Sequence, residues 1–472
     1  MTVYDERAKL ILSIIARLGV PKVKIRSCFA FFLLALALVS CSPKEYQKKS
    51  SFASRDNTKM TIVGNTVSSK ALEKVITDFR KLYPNCDIEY EYLQNYSKNL
   101  AKRLENNETI DLFLTNNIQG DSPSLPYALD LKTAGKAVDL SYTYDGLIKN
   151  FTYQDHLYAI PMGAEIRGLF VNKTLLASLS LKTPTNYQEL LHCCEVLKAA
   201  GYVPLQGNPN SFGQKLMYPY VCDLIGNSKS YADVYASVNR ADVGVSELFR
   251  NPVSRLYELV EKGYYDYKYV ETNNGKFLTG SQDGVCLGFL GIVIGKNQEG
   301  RQVHDKTDVA FIAEPMSLKT SLDKYKEDFH SDVEYEFILA PVGDEGGFAY
   351  MSPSEGIAVN KNGQNVDWAL EFLNFLFSRQ ENSVYAKENS IIPNTKDAET
   401  YINKTFNMKG TRVTQLGQVS FDYVFYNVIN KTLVDVSKAN APKYMRQDGT
   451  MYPLSHYMEG LESGFEKQRK KE

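Results

Sequence analysis

Three asparagines stand where apolar, strand-like runs stop: Asn65 after "MTIVG", and Asn116 and Asn117 after "IDLFLT". A carboxamide donates and accepts at once, which suits a ligand covered in hydroxyls. Asparagine is also favoured in ordinary turns, so both readings stand at these positions. Glu165 and Arg167 follow the Ile160-Pro161 break on one extended run, two residues apart and so on one strand face. They either hold a ligand or pair with each other and their neighbours. The motifs of the commonest enzyme classes are missing: no HExxH, GxxxxGK[ST], GxSxG or GxGxxG occurs, and there are only five histidines. His192 has no evident partner. The cysteines, Cys28, Cys41, Cys86, Cys193, Cys194, Cys222 and Cys286, fit no zinc spacing and read as buried free thiols once the leader is removed. No catalytic residue, metal or cofactor is expected; the missing motifs weigh against the commonest enzyme classes without excluding an enzyme.

The chain has 472 residues, too many for one ordinary core, so two or more lobes are expected. Formal net charge is −1, which gives no global field for nucleic acid. Tyrosine occurs 32 times and tryptophan once. Tyrosine-rich surfaces suit polar ligands, because each ring brings apolar area and a hydroxyl.

Lys22, Lys24 and Arg26 precede an apolar run from Cys28 to Val39. A positive n-region and a short apolar core define a secretory signal. The run is shorter than the ~20 residues a spanning helix needs. Leu38-Val39-Ser40-Cys41 resembles the bacterial lipobox, which implies a cut before Cys41 and a lipid on its thiol. Met1–Val20 is long for an n-region and carries Asp5 and Glu6, which leaves the start site open. The signal is expected over 1–40. A flexible tether is expected over 41–58, which is polar and lacks an apolar period.

From Met60 on, strand and helix alternate, as in a mostly parallel α/β sheet whose ligands bind beyond the carboxyl ends of strands. Leu72, Val75, Ile76, Phe79 and Leu82 make one helical face, with Pro84 beyond. "TPTNYQELLHCCEVLKAAG" reads as a helix with Thr185 as N-cap and Gly201 as C-cap. Val285–Leu290 reads as a buried strand, and 301–336, charged and without a clean period, as a surface excursion. "NVDWALEFLNFLFS" is an amphipathic helix in which Trp368 packs inward.

In this order, the pieces resemble the family 1 extracellular solute-binding proteins of bacterial ABC importers, the group that includes maltose-binding protein. The resemblance is carried by "TIVGN", "FRKLYPNCDIEYEYL", "IDLFLTNN", "YQDHLYAIPMGAEIRGLFVNKTLL", "TPTNYQELL", "FLTGSQDGVCLGFLG", "APVGDEGG", "EGIAVNKNGQNVDWALEFLNFLFS" and "SIIPN". It implies an α/β, two-lobed periplasmic-binding-protein fold of type II-like topology. Each lobe would be a mostly parallel sheet flanked by helices, and crossing hinge segments would join them. Lobe I is expected over 59–163 plus 284–346, and lobe II over 164–283 plus 347–472. Crossings are expected near Pro161–Glu165, near Ala340–Ser354, and after Cys286. Glu165 stands where a family glutamate contacts sugar. By the same resemblance Asn210, Phe212 and Tyr218 would present aromatic and amide groups, and Tyr350 and Ser352 would border the cleft.

The expected role is capture of a small solute, a carbohydrate, for delivery to ABC permease subunits. The protein would be a monomer held to the outer face of the cytoplasmic membrane by the lipid on Cys41. The lone tryptophan lies in a helix, so tyrosine and phenylalanine would replace the sugar-stacking tryptophans of many members. Two other readings remain: a secreted glycan-acting enzyme using an Asp/Glu pair, and a sensory or adhesion lipoprotein that kept the fold without transport.

Overall fold

The computed structural model describes residues 46–65, 70–116, 118, 120, 122–134, 138–208, 210–226, 244–267, 286–292, 309–398, 400–402, 412–414 and 423–469. The expected leader, Cys41 and Asn117 lie outside the described residues. The chain divides after Gln47, and the folded body is Lys48–Glu472. Among the described residues no helix is long and apolar enough to cross a membrane.

The tether expected over 41–58 is corrected from Lys48 onward. A four-residue helix, α1 (Ser50–Ala53), is packed on the body. Its Phe52 meets the ring of Trp368 edge-on at 4.9 Å. Asn85 Nδ2 donates to the carbonyls of Phe52 and Arg55, both at 2.9 Å. A single phenylalanine among polar residues makes no period, so pattern reading sees only a linker here.

The first lobe starts with β1 (Thr58–Gly64), α2 (Lys70–Leu82), β2 (Cys86–Tyr92), α3 (Tyr96–Glu105) and β3 (Leu112–Thr115). The expected face of α2 is buried through Ala71, Leu72, Val75, Ile76 and Phe79. Glu73 in its first turn and Arg80 and Lys81 in its last suit the helix dipole. β1 runs parallel to both β2 and β3. The chain then leaves through β4 (Ile160–Pro161).

The second lobe is organised by β5 (Gly163–Asn172). It is followed by α4 (Tyr187–Ala199), β6 (Val203–Gln206), α5 (Phe212–Gly226), α6 (Arg250–Glu261), β7 (Val309–Pro315), α7 (Leu318–Asp328), β8 (Tyr335–Leu339) and β9 (Phe348–Pro353). The chain returns to the first lobe for β10 (Gly356–Val359), α8 (Val366–Leu376) and α9 (Arg379–Glu388). It ends in the second with β11 (Ile392–Pro393), β12 (Arg412–Thr414), α10 (Tyr423–Ser437) and α11 (Leu454–Arg469). The small sheet has the order β2-β1-β3-β10-β4, and the large one β12-β9-β5-β7-β6, with β8 and β11 also on β5.

The two-lobed α/β architecture is as expected, but the strand sense is not. β5 pairs antiparallel with β7, β8, β9 and β11. Among the described strands of the large sheet, the parallel pairs are β6 with β7 and β9 with β12. The lobe boundaries also change. β7 and β8, expected in lobe I, are hydrogen-bonded to β5 of the second lobe. β10, expected in lobe II, pairs with β3 and β4 of the first. The supposed surface excursion at 301–336 contains β7, buried from Val309 to Glu314. Residues 286–289 are helical rather than extended, and Phe289 is fully buried against Phe170 and Ile312 instead of bordering a crossing. Periodicity finds elements; it does not tell which sheet a short apolar strand joins. Asn186, not Thr185, caps α4, accepting from Glu189 N, while Thr185 binds the Glu189 carboxylate at 2.8 Å through its N–H.

Among the described residues three crossings join the lobes: Pro161 to Gly163, Pro353 to Gly356, and Glu388 to Ile392. They are laced together. Met162 N donates to Glu355 O, and Ser354 N to Gly163 O, both at 2.9 Å. The fully buried Asn382 donates to Met162 O at 2.8 Å and accepts from Asn394 N at 2.7 Å. Asn394 Nδ2 in turn donates to Pro161 O at 2.6 Å. Asn382→Ala would strip two buried main-chain groups of their partners, each loss costing about 1–3 kcal/mol. The variant is expected to lose about 2–4 kcal/mol of stability in urea unfolding at unchanged slope. A loss below about 0.5 kcal/mol would show that the lacing is redundant.

Candidate functional site

The site is built where the crossings meet the ends of β1, β3 and β5. Tyr96 at the start of α3 reaches the carbonyls of Leu114, at 2.5 Å, and Val63, at 3.1 Å, and so holds the ends of β3 and β1 together. Gly64, the last residue of β1, has no room for a side chain: a Cβ there would come within 2.2 Å of the Tyr90 hydroxyl. Asn65 follows. Its side chain hydrogen-bonds the Glu355 carboxyl. Its Oδ1 is buried and has no hydrogen-bond partner among the described residues.

From the second lobe comes Glu165, on β5 opposite Ser352. Its carboxyl receives both the main-chain N–H and the side chain of Ser317, just before α7. The residue is half-buried, but Oε2 is sealed from solvent and has no partner among the described residues. Arg167, half-buried, pulls weakly on the carboxyl from the same strand. Buried Tyr385 of α9 feels both Glu165 and Glu355.

Both carboxyls carry the mark of desolvation. Burial pushes Glu165 up to about 7, against the opposing pull of Ser317 and Arg167. Burial likewise pushes Glu355 up to about 7, against the Asn65 amide. One buried carboxylate elsewhere is matched by a cation: at the ends of β6 and β7, Glu314 pairs with Lys215, and both are largely buried. Near that pair Gln206 Oε1 is also buried without a partner among the described residues. The arrangement offers orphan acceptors, Glu165 Oε2 and Asn65 Oδ1, from two lobes. A group that donates hydrogen bonds would satisfy both.

The other expected residues divide. Ser352 is half-buried, with Oγ 3.5 Å from Glu165 O. Asn116 is exposed at the end of β3. Asn210 is exposed and donates its N–H to Asn208 Oδ1 in the turn before α5, an ordinary Asx turn. The aromatics are a correction. Phe212 is fully buried and stacks on Tyr265 at 3.7 Å. Tyr218 is 1% exposed and Tyr350 7% exposed, and their rings meet at 5.5 Å and 86°. These rings fill the second lobe's core instead of offering a platform. The helix "FGQKLMYPYVCDLIG" is apolar on most sides, the mark of a buried helix. Glu355, Ser317 and Tyr96 are the residues that sequence reasoning missed. Glu355 had a signal: a lone carboxylate directly before Gly356, between two strands that belong to different lobes.

A carboxyl whose pKa is raised by folding stabilises the fold when protonated. Its contribution is complete below the unfolded value of 4.5 and lost as pH rises through about 7. Glutamine carries no charge to desolvate. Glu165→Gln and Glu355→Gln are each expected to gain melting temperature relative to wild type between about pH 4.5 and about pH 8. A difference that stays flat over that range would refute the desolvated carboxyl.

The family model described as bacterial extracellular solute-binding protein matches residues 64–383. No curated protein matches the chain by sequence. Among solved structures, apo RafE from Streptococcus pneumoniae is similar at 14% identity and a TM-score of 0.58, over 90% of this chain and 100% of that one. Maltose-bound MalE3 of T. maritima is similar at 14% identity and 0.56, over 87% and 100%. A sugar transporter of Bacillus licheniformis in complex with stachyose is similar at 16% and 0.52, over 86% and 98%. Identities so low speak for the fold alone. The family match is of another kind, because it spans both lobes and most of the chain's length. By that match the chain belongs to the bacterial extracellular solute-binding protein family.

Proposed function

We propose that this protein captures a small carbohydrate between its lobes and delivers it to the permease of an ABC importer, acting as a monomeric, non-enzymatic lipoprotein on the outer face of the cytoplasmic membrane. One observation carries the ligand class: Glu165 Oε2 and Asn65 Oδ1 are buried acceptors without donors among the described residues. A buried acceptor left unmatched costs free energy, and sugar hydroxyls supply donors at close spacing. Ser352 and Asn116 lie at the same strand ends and extend the polar lining, and the Asn117 carboxamide follows in sequence. Arg167 would steady the Glu165 carboxylate. The membrane attachment rests on Cys41 at the close of the apolar leader.

Thermal-shift measurements against sugars, glycans, polyamines and peptides test the reading. A large rise in melting temperature with an unaltered sugar is expected; turnover of the ligand would overturn the binding role. With that sugar in a titration calorimeter, Glu165→Ala is expected to weaken binding by about 1.5–3 kcal/mol, the range of a charged hydrogen bond. Unchanged affinity would remove Glu165 from the site. Cys41→Ala is expected to leave an uncut, unlipidated precursor, seen by mass; normal processing would refute the lipid anchor.

A further inference from the structure

We propose that residues 48–57 are a rigid mount that holds the first lobe facing the membrane, in place of a loose leash. The proposal rests on lipid attachment at Cys41. The mount is built from several independent contacts. Lys49 Nζ forms an ion pair with Glu371, whose side chain is 1% exposed on α8. Lys49 N donates to the Tyr83 hydroxyl at 2.8 Å, and that hydroxyl donates to Glu371 Oε1 at 2.9 Å. Phe52 lies against Trp368, and the Arg55 guanidinium lies 4.0 Å from the centre of the Phe52 ring. Arg55 also reaches Asp367 at 3.4 Å. Asn85 holds two carbonyls of the segment from the end of α2. Detaching the segment would uncover Trp368 and Tyr83 and remove Lys49 from a buried carboxylate. The segment is part of the fold, not an appendage of it.

Docking of this segment sets the reach of the anchor. Cys41 to Gln47 is seven residues, whose fully extended length is at most about 25 Å. A free chain from Cys41 through residue 57 would reach about 60 Å. A body of this size has a radius of gyration of about 22 Å, so its diameter exceeds the shorter reach but not the longer one. The mounted protein therefore cannot turn the face bearing Lys49, Arg55 and Trp368 away from the bilayer. With a free leash it could.

Trp368 is the sole tryptophan and packs against Phe52 of the mount, so it reports directly. The test uses the lipidated full chain in vesicles whose headgroups carry a dansyl acceptor for tryptophan emission. Wild type is expected to show energy transfer. The double variant Lys49→Gly/Phe52→Ser, which frees the segment, is expected to lose most of that transfer while still sedimenting with the vesicles. Equal transfer in both would overturn the mount. Failure to sediment would instead strike the lipid anchor. Because the variant can lose stability, hydrogen exchange on the wild type gives a second reading. Amides of 52–55 are expected to be protected by at least about tenfold over an unstructured chain; free exchange there would also overturn the mount.

Discussion

The pairing of β5 is the constraint on which the remainder depends. Ten residues, Gly163–Asn172, receive β9 and β11 along their first half and β7 and β8 along their second. The backbones approach too closely for any side chain at two points. A Cβ on Gly168 would fall 2.1 Å from Ile338 O, and one on Gly163 2.7 Å from Ile392 O. Register follows from that fit, and a slip of one residue would turn every side chain of the strand to the other face. The register is also what places Glu165 opposite Ser352 and leaves its carboxyl beside Ser317. The site is thus a by-product of how the second lobe's sheet is assembled.

Buried carboxylates are satisfied in different ways across the fold. Glu371 is given Lys49 and the Tyr83 hydroxyl, and Glu314 is given Lys215. Asp111 accepts from Thr61 N and Asn365 N, both at 2.9 Å, where the small sheet meets α8. Glu165 and Glu355 get uncharged partners, Ser317 and Asn65, and lie beside buried Tyr385. Burying a carboxyl without a close cation costs stability, and evolution tolerates that where the group is wanted for something else. Perturbed groups also arise in structural networks. Glu381 of α9 is such a case, raised by burial and with Oε2 unpartnered among the described residues; Glu165 and Asn65 differ in bringing their unpartnered acceptors from two lobes to the crossings.

Much of this was legible in the sequence, and the reasons for the failures are physical. α2, α4 and α8 are long enough for a 3.6-residue period to show, and the Ile160-Pro161 break marks a crossing because proline and the following glycine disrupt both periods. β7 escaped because seven residues, VAFIAEP, lie between masking charges. Phe212, Tyr218 and Tyr350 were read as ligand platforms because aromatic type does not say which way a ring points. Both α5 and β9 are buried, and their rings met one another first. The mount escaped for the opposite reason: its one aromatic, Phe52, finds its partner Trp368 more than 300 positions away, beyond any local pattern.

The crossings and the mount together assign the moving part. The lacing through Asn382 and Asn394 ties Pro161 and Met162 to the third crossing, so rotation between lobes must be taken up by few torsions. The mount joins the N-terminal segment to the turn between α2 and β2 and to α8, both in the first lobe. On the proposed function, the first lobe is then the fixed body and the second is the arm. A ligand shifts such an arm only by its difference in affinity between open and closed forms. Asn65 Oδ1 on the fixed body and Glu165 Oε2 on the arm each lack a donor among the described residues, so under that function a ligand touching only one would not favour the closed form. Under the proposed function, closure would demand a solute whose hydroxyls reach both, which would make the separation of those two acceptors a selector of ligand size as well as of ligand chemistry.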